Sequence, residues 1–308
     1  MPLGFTTGRL WGRRSSSTGS PVWREDDFRV DELPDDLQHE LKVSIRLARR
    51  AGEAILGYYR RGLPVERKAG DEPVTLADRV ADDLIRAGLR DAFPDDGLLT
   101  EESADDLSRL AKERVWIVDP LDGTTEFITE TGDFVVQVGL AVGGEPVLGV
   151  IYQPTTGLLY HAARGQGAYR HQNNRSERLH VSTTADPRQM RLVASHAHYS
   201  PLVQEARRAL GLASVRRMGS VGLKAGMLAA GECDLYLATT VAKEWDLCAP
   251  HALILEAGGI LTNLCGERVS YNKPRPSGCR GLIASNGQIH EHIVRALAPL
   301  VEKMYGPR

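Results

Sequence analysis

The chain has 308 residues, of which 42% are apolar and 25% charged, and its formal net charge is −2. These values are typical of a globular protein with room for two subdomains, and they give no reason to expect a nucleic acid polymer or a membrane as partner. No apolar run approaches the length of a membrane span. The four cysteines form no C-x-x-C pair, which predicts reduced thiols and a cytoplasmic protein.

The N-terminal stretch differs in composition from the rest. Residues 1–24 contain arginines and a serine run but no acidic residue. This composition is similar to that of an organellar transit peptide, but the weak helical periodicity favours a disordered extension. We therefore predict an extension over residues 1–36, an N-terminal subdomain over 37–185 and a C-terminal subdomain over 186–308.

The first half begins with two predicted helices. Apolar residues at helical spacing indicate a helix over 37–61 and a second that starts near Asp78 and ends near Ala92. Short strands follow at 98–100 and 115–118, and residues 134–170 have the turn spacing of a β-meander.

The second half alternates between strands and helices after a polar stretch at 171–190. The predicted strands are 192–195, 214–218, 233–238, 260–262 and 281–284, and the predicted helices are 201–210, 221–230, 245–257 and 289–305. This order is typical of an α/β fold with a parallel or mixed sheet between helices.

Two aspartates at the end of the strand at 115–118 carry the predicted chemistry. Asp119 and Asp122 flank a Pro-Leu pair, and two carboxylates that close repel each other unless a cation lies between them. Oxygen ligands favour a hard cation, with Mg²⁺ first, and the Leu121 carbonyl could add a ligand. Other acids stand at element ends: Asp78, Glu101, Glu102 and Asp246. Four such groups are typical of a multi-metal phosphotransfer site.

The residues after Asp122 suit a phosphate. Gly123 allows close approach of the backbone to a ligand, and the Thr124 hydroxyl could orient a metal-bound water. A phosphoaspartate mechanism needs D-x-D, which Leu121 interrupts, and the chain has no Walker loop. Simpler interpretations stay open: an Asx-turn at Asp119, a helix cap at Asp78 and a solvated Lys224.

The segment DPLDGT at 119–124 resembles the signature of the inositol monophosphatase superfamily. TEES at 100–103, EWDLCAP at 244–250 and TLAD at 75–78 resemble its other acidic motifs, in the right order and spacing. The resemblance implies an αβαβα sandwich and a lithium-sensitive, Mg²⁺-dependent phosphatase that binds two or three ions, with Mn²⁺ as a substitute. The implied metal ligands are Glu101, Asp119, the Leu121 carbonyl, Asp122 and Asp246, with Asp78 serving a weaker third ion.

The resemblance also implies catalytic and substrate-binding roles. Thr124 with Glu101 would activate the attacking water, and Asp78 is a further catalytic candidate. The candidate substrate contacts are Gly123, Thr124, Ser195, His196, Ser220, Lys224 and Asp246, and Lys243, Arg216 and Arg217 are candidates for a second phosphate.

Within the superfamily, the ending Glu126-Phe127 and the segment WDLCAP look like the 3′(2′),5′-bisphosphate nucleotidase branch, which converts adenosine 3′,5′-bisphosphate to AMP. The stretch SHAH at 195–198 departs from that branch. The alternatives are an inositol monophosphatase, a fructose 1,6-bisphosphatase, and a non-catalytic nucleotide- or metal-binding module. A small phosphorylated molecule is the expected partner, and many family members form homodimers.

Overall fold

A computed structural model describes residues 37–62, 64–67, 73–196 and 201–306, except for the side chains of 278–280. These residues belong to one compact unit. The predicted N-terminal extension lies outside the described residues, and the division at 185/186 stays a prediction. Every helix of the described chain is too short or too polar to span a membrane.

Seven helices and fourteen strands are present in the described residues. The helices are α1 (Gln38–Tyr58), α2 (Leu76–Ala92), α3 (Thr124–Ile128), α4 (Pro201–Leu210), α5 (Val221–Ala229), α6 (Glu244–Glu256) and α7 (His290–Tyr305). The strands are β1 (Glu66–Arg67), β2 (Pro73–Val74), β3 (Gly97–Thr100), β4 (Arg114–Asp122), β5 (Val135–Val142), β6 (Glu145–Gln153), β7 (Leu158–Ala163), β8 (Gly167–Gln172), β9 (Arg175–Leu179), β10 (Arg191–Ser195), β11 (Ser214–Met218), β12 (Leu235–Lys243), β13 (Ile260–Asn263) and β14 (Ser277–Ser285).

The elements stack as five layers. A seven-stranded sheet has the order β3-β4-β5-β6-β7-β8-β9, and a five-stranded sheet has the order β11-β10-β12-β14-β13. Helices α1 and α2 pack on the outer face of the first sheet, α5 and α6 lie between the sheets, and α4 and α7 cover the second sheet. The predicted layered αβαβα architecture is confirmed.

The seven-stranded sheet is antiparallel except where β3 runs parallel to β4. Strand β4 is the second strand of this sheet, next to the edge strand β3, and is buried apart from its first residue, because its apolar run lies between two neighbours and under α2. The five-stranded sheet is mixed: β10 pairs in parallel with β11 and β12, and β14 runs antiparallel to both its neighbours.

Two segments contain regular structure that the sequence analysis does not predict. The polar stretch at 171–190 contains strand β9, an edge strand whose first four residues are exposed, so its sequence lacks the alternation that marks a half-buried strand. It is joined to β8 by a hairpin in which Asn173 and Asn174 have positive φ, as a type I′ turn requires. The residues after Gly123, which are predicted to suit a phosphate, form a short helix, α3.

Candidate active site

The parallel pairing of β3 with β4 brings two acidic motifs together. Thr100 lies opposite Val118, and the Glu101 N–H donates to the Val118 carbonyl at 3.2 Å. Glu101 therefore lies at the same end of the sheet as Asp119, as the sequence predicts from two strands that both end in acids. The contact depends on the register between segments separated by the 101–113 connection.

A bulge directs the two aspartates of β4 to the same side. Residues three apart on a regular strand point to opposite faces of the sheet. Here Asp119 lies opposite Gln137 and Asp122 opposite Val135, so one extra residue is inserted into β4. Pro120 lies in this insertion, where its missing N–H removes no ladder hydrogen bond. Both carboxylates consequently line one cleft.

The cleft has a volume of about 540 Å³ and collects most of the predicted site residues. Those that line it are Glu101, Asp119, Leu121, Asp122, Gly123, Thr124, Ser195, Ser220, Lys224, Lys243 and Asp246. Asp78 does not line the cleft but contacts Thr124, and His196 is exposed outside it. Arg216 and Arg217 are exposed on β11, away from the lining, and His198 lies outside the described residues.

Asp119 is the electrostatic centre of the cleft. It is 2% exposed, and burial raises the pKa of its carboxyl well above the usual range. The negative charges of Glu101, Asp122 and Asp246 raise this pKa further, so four carboxylates from distant parts of the chain act on one another. A buried carboxylate among like charges is stabilised by a bound cation.

The donor set fits a hard divalent cation, because all of its atoms are carboxylate or carbonyl oxygens. Hydrogen bonds engage one carboxylate oxygen of Asp119, from the Leu121 N–H at 2.9 Å, and one of Asp122. The Asx-turn at Asp119 therefore exists and leaves the second oxygen for a cation. Within the described residues, no three His, Cys, Asp or Glu side chains form a ready-made metal site. The fit therefore rests on the donor chemistry and the mutual repulsion.

The Thr124 hydroxyl is held by Asp78. Its Oγ1 lies 3.1 Å from Asp78 Oδ1 and 3.3 Å from the Leu121 carbonyl, so its one hydrogen donates toward these acceptors. Asp78 is the N3 residue of α2, and its Oδ2 accepts from the Thr75 N–H at 2.8 Å in a capping box. Burial raises the pKa of Asp78, against the effect of these hydrogen bonds. The family resemblance implies that Thr124 acts with Glu101, whereas the described hydrogen bonds of Thr124 run to Asp78 and Leu121.

The turn before α5 holds Asp122. The Ser220 hydroxyl donates to Asp122 Oδ2 at 2.5 Å, and the Gly222 N–H donates to the same oxygen at 2.9 Å. The Lys224 ammonium donates to the carbonyls of Gly219 at 3.1 Å and Ser220 at 2.5 Å, and burial lowers the pKa of this lysine to about 8. Lys224 thus supports the turn, which brings a second-half segment onto a first-half aspartate.

A buried polar network that the sequence analysis missed ties together two site segments. Glu244, which is fully buried just before the Trp245-Asp246 pair, accepts from the Asn272 N–H at 2.7 Å. The Asn272 Oδ1 accepts from Arg109, which is 1% exposed and lies on the segment between Glu101 and β4. A buried charged network of this kind fixes geometry because each unpaired member would be costly. The sequence does not indicate that Arg109 is buried, and without that information the network could not be predicted.

Most residues of the far wall of the cleft were also not among the candidates named from the sequence. It is formed by the end of β12 and the first turn of α6, and the residues added are Tyr236, Leu237, Ala238, Thr239, Thr240, Val241 and Trp245. Strand β12 continues five residues beyond its predicted end at Ala238, through a bulge between Ala238 and Val241. The threonines and the bulge obscure the strand period that would have marked this continuation.

The chain is similar to known proteins in sequence and in fold. The profile of the inositol monophosphatase family matches residues 36–302. The chain is 37% identical over 240 residues to the 3′(2′),5′-bisphosphate nucleotidase CysQ of Salmonella typhimurium, covering 77% of this chain and 95% of that protein. It is 36% identical to the Nus factor SuhB of Pasteurella multocida, covering 73% and 85%. The solved IMPase of Thermotoga maritima superposes with a TM-score of 0.73 at 29% identity, covering 86% and 99%.

Proposed function

Because the chain belongs to the inositol monophosphatase family of phosphatases, we propose that it is a Mg²⁺-dependent phosphate monoesterase that acts on adenosine 3′,5′-bisphosphate. The observation that carries the phosphatase proposal is the convergence of Glu101, Asp122 and Asp246 on the buried Asp119. The similarity to CysQ favours a bisphosphorylated nucleoside as the substrate. A cytoplasmic location is part of the same proposal.

The metal would be held by Glu101, Asp119, the Leu121 carbonyl, Asp122 and Asp246. Two or three Mg²⁺ ions, with Mn²⁺ as a substitute, would lower the pKa of the attacking water and stabilise the leaving oxygen. Both Asp78 oxygens accept hydrogen bonds from Thr75 or Thr124. This favours a role in positioning Thr124 over the predicted role as ligand of a third ion.

Thr124 and Asp78 are arranged to move a proton. The Thr124 hydroxyl hydrogen points toward Asp78, which leaves the Oγ1 lone pairs able to accept a hydrogen bond from water. As that water attacks phosphorus, its proton can pass to Thr124 Oγ1 while the threonine proton passes to Asp78 Oδ1. The raised pKa of Asp78 makes its carboxylate the better acceptor.

Replacing Thr124 with valine, which has the same shape but no hydroxyl, should lower kcat by about 10²-fold because the proton path is lost. Thr124→Ser keeps the hydroxyl and should retain most of kcat. Steady-state phosphate release under saturating Mg²⁺ measures both variants. A Thr124→Val enzyme with the wild-type kcat would exclude this hydroxyl from the chemical step.

A substrate panel tests the proposed specificity. Phosphate release is measured with adenosine 3′,5′-bisphosphate, inositol 1-phosphate and fructose 1,6-bisphosphate, and we expect the highest kcat/KM, by at least about tenfold, for the nucleotide because it alone combines a second phosphate with a nucleoside. The second candidate is an inositol phosphatase, favoured by the superposition with the Thermotoga maritima IMPase.

The outcomes of the panel separate the alternatives. A higher kcat/KM for inositol 1-phosphate would contradict the nucleotidase proposal and leave the phosphatase proposal standing. Failure to hydrolyse any of the three with Mg²⁺ or Mn²⁺ would contradict both, in favour of a non-catalytic binding module.

A further inference from the structure

Lys243 occupies a fixed position on the far wall of the cleft. It ends β12 and immediately precedes α6, and its backbone N–H donates to Asp246 Oδ2 at 2.7 Å. Its side chain lines the cleft, with Nζ 6.0 Å from the centre of the Trp245 ring. The backbone is thus anchored to a candidate metal ligand, and the residue lines the cleft with its ammonium group on a four-carbon arm beside the Trp245 ring.

Lys243 differs from the other charged residues that line the cleft in the contacts of its charged group. The lining contains five acidic residues and two lysines; the acids are Glu101, Asp119, Asp122, Glu126 and Asp246. The Lys224 ammonium is engaged by two backbone carbonyls of its own turn. The Lys243 ammonium, within the part of the chain that the structure describes, has the Trp245 ring as its contact and neither a hydrogen bond nor an ion pair.

An uncompensated ammonium group beside a phosphate-cleaving centre is suited to an anion. The acidic cluster with its metal would bind the phosphate that is cleaved. The Lys243 ammonium group does not belong to that cluster, so it is available for another anionic group of the same molecule. Arg216 and Arg217 do not compete for this role, because β11 is the edge strand of the second sheet and neither arginine lines the cleft.

We propose that Lys243 binds the second phosphate of a bisphosphorylated substrate and thereby determines the preference for bisphosphates over monophosphates. The proposal rests on the proposed phosphatase function and deepens it by naming the residue that recognises the group that is not cleaved. The Trp245 ring holds the ammonium group in the free protein by a cation–π contact. The substrate phosphate, as a full negative charge, replaces this weaker contact.

The test compares substrates that differ by one phosphate. Lys243→Met removes the charge and keeps the length of the side chain, Lys243→Arg keeps the charge, and Arg216→Met removes a cation from the surface outside the cleft. Each variant is assayed with adenosine 3′,5′-bisphosphate against adenosine 3′-monophosphate, and with inositol 1,4-bisphosphate against inositol 1-phosphate.

In Lys243→Met, the ratio of kcat/KM for bisphosphate over monophosphate should fall by at least about tenfold, chiefly through KM, because the lost contact is made in the ground state as well as the transition state. Lys243→Arg should keep most of the ratio, and Arg216→Met should match the wild type. Raising the salt concentration should increase KM for the bisphosphate more in the wild type than in Lys243→Met. An equal fall for both members of each pair would overturn the proposal, because Lys243 would then act through Asp246 or Trp245.

The two substrate pairs keep this test separate from the test of the proposed function. If the enzyme preferred inositol phosphates, the nucleotidase proposal would fail, and the inositol pair would still decide the role of Lys243. If nothing were hydrolysed, calorimetric binding of adenosine 3′,5′-bisphosphate and adenosine 3′-monophosphate to the wild type and Lys243→Met in Mg²⁺ would decide it. A bisphosphate affinity that Lys243→Met leaves unchanged would overturn the proposal.

Discussion

Asp119→Asn is expected to lower phosphatase activity by about 10³-fold or more and to raise the thermal stability of the metal-free protein. The carboxylate that holds the cation is also the one that burial and three neighbouring acids disfavour as a charge. Asparagine keeps the shape and one oxygen but removes the charge. The cation then loses a ligand, and the apo protein loses a repulsive interaction.

Opposite changes in activity and stability separate this variant from one that merely misfolds. Wild-type and variant proteins are melted in EDTA and with increasing Mg²⁺, and phosphate release is measured on the same samples. We expect Mg²⁺ to raise the Tm of the wild type, because an ion that binds only the folded state stabilises it, and to affect the variant much less.

Asp83→Asn is the matched control, because it makes the same chemical change on α2 at a side chain that is 79% exposed. It should leave the activity, the Tm in EDTA and the response to Mg²⁺ close to those of the wild type. Substantial Mg²⁺-dependent turnover in Asp119→Asn would contradict the assignment of Asp119 as a metal ligand. A lower Tm in EDTA would contradict the electrostatic account of the cleft.

The chemical half of this site could be predicted from the sequence because its information is local. Asp119, Asp122 and Thr124 lie within six residues, and their spacing limits what they can do together. Glu101 could be assigned to the same site because it also follows a strand, and neighbouring strands bring their ends together at one end of a sheet. The α/β class could be predicted for a similar reason, since the local hydrophobic periodicity indicates the order of helices and strands, whereas the five-layer architecture was implied only by the family resemblance.

The roles of the substrate-side residues could not be predicted, because they depend on contacts between distant segments. The sequence leaves Lys243, Arg216 and Arg217 as alternatives for a second phosphate, and only the structure shows that Lys243 lines the cleft and that the two arginines do not. From the sequence, Lys224 is a candidate phosphate contact, and only the structure shows that its ammonium group is hydrogen-bonded to backbone carbonyls. Burial changes the role of a lysine without changing its sequence context.

Two glycines position the helix that carries Asp246, and they were also beyond the reach of sequence reasoning. Gly139 on β5 and Gly149 on β6 lie opposite each other in the sheet, directly under α6. A Cβ at Gly149 would lie 2.2 Å from the Ala249 carbonyl oxygen, and one at Gly139 would lie 2.7 Å from Cys248 Sγ. The backbone of α6 therefore lies directly against Gly149, and the Cys248 side chain together with the Ala249 backbone lies directly against Gly139.

Gly149→Ala should destabilise the protein by about 3 kcal/mol, because the added methyl group meets backbone atoms of α6 that cannot rotate away. For a chain of this size the expected fall in Tm is roughly 5–10 °C. Gly57→Ala is the matched control: this glycine lies in α1 with no heavy atom within 4 Å of the Cβ position, so alanine should leave stability unchanged or raise it by up to about 1 kcal/mol. Thermal and urea unfolding in EDTA measure both variants.

The metal response of Gly149→Ala connects this packing to the site. Asp246 is in the first turn of α6, whereas Asp119 and Asp122 lie on β4, which adjoins β5 in the sheet beneath that helix. Lifting α6 off the glycine pair should therefore separate Asp246 from the two aspartates and raise the Mg²⁺ concentration needed for half-maximal activity. Gly149→Ala should thus lose stability and metal affinity together, whereas Asp119→Asn should lose metal affinity and gain stability in EDTA. A Gly149→Ala protein with the wild-type Tm and Mg²⁺ requirement would show that the close approach of α6 does not set the distance between the carboxylates.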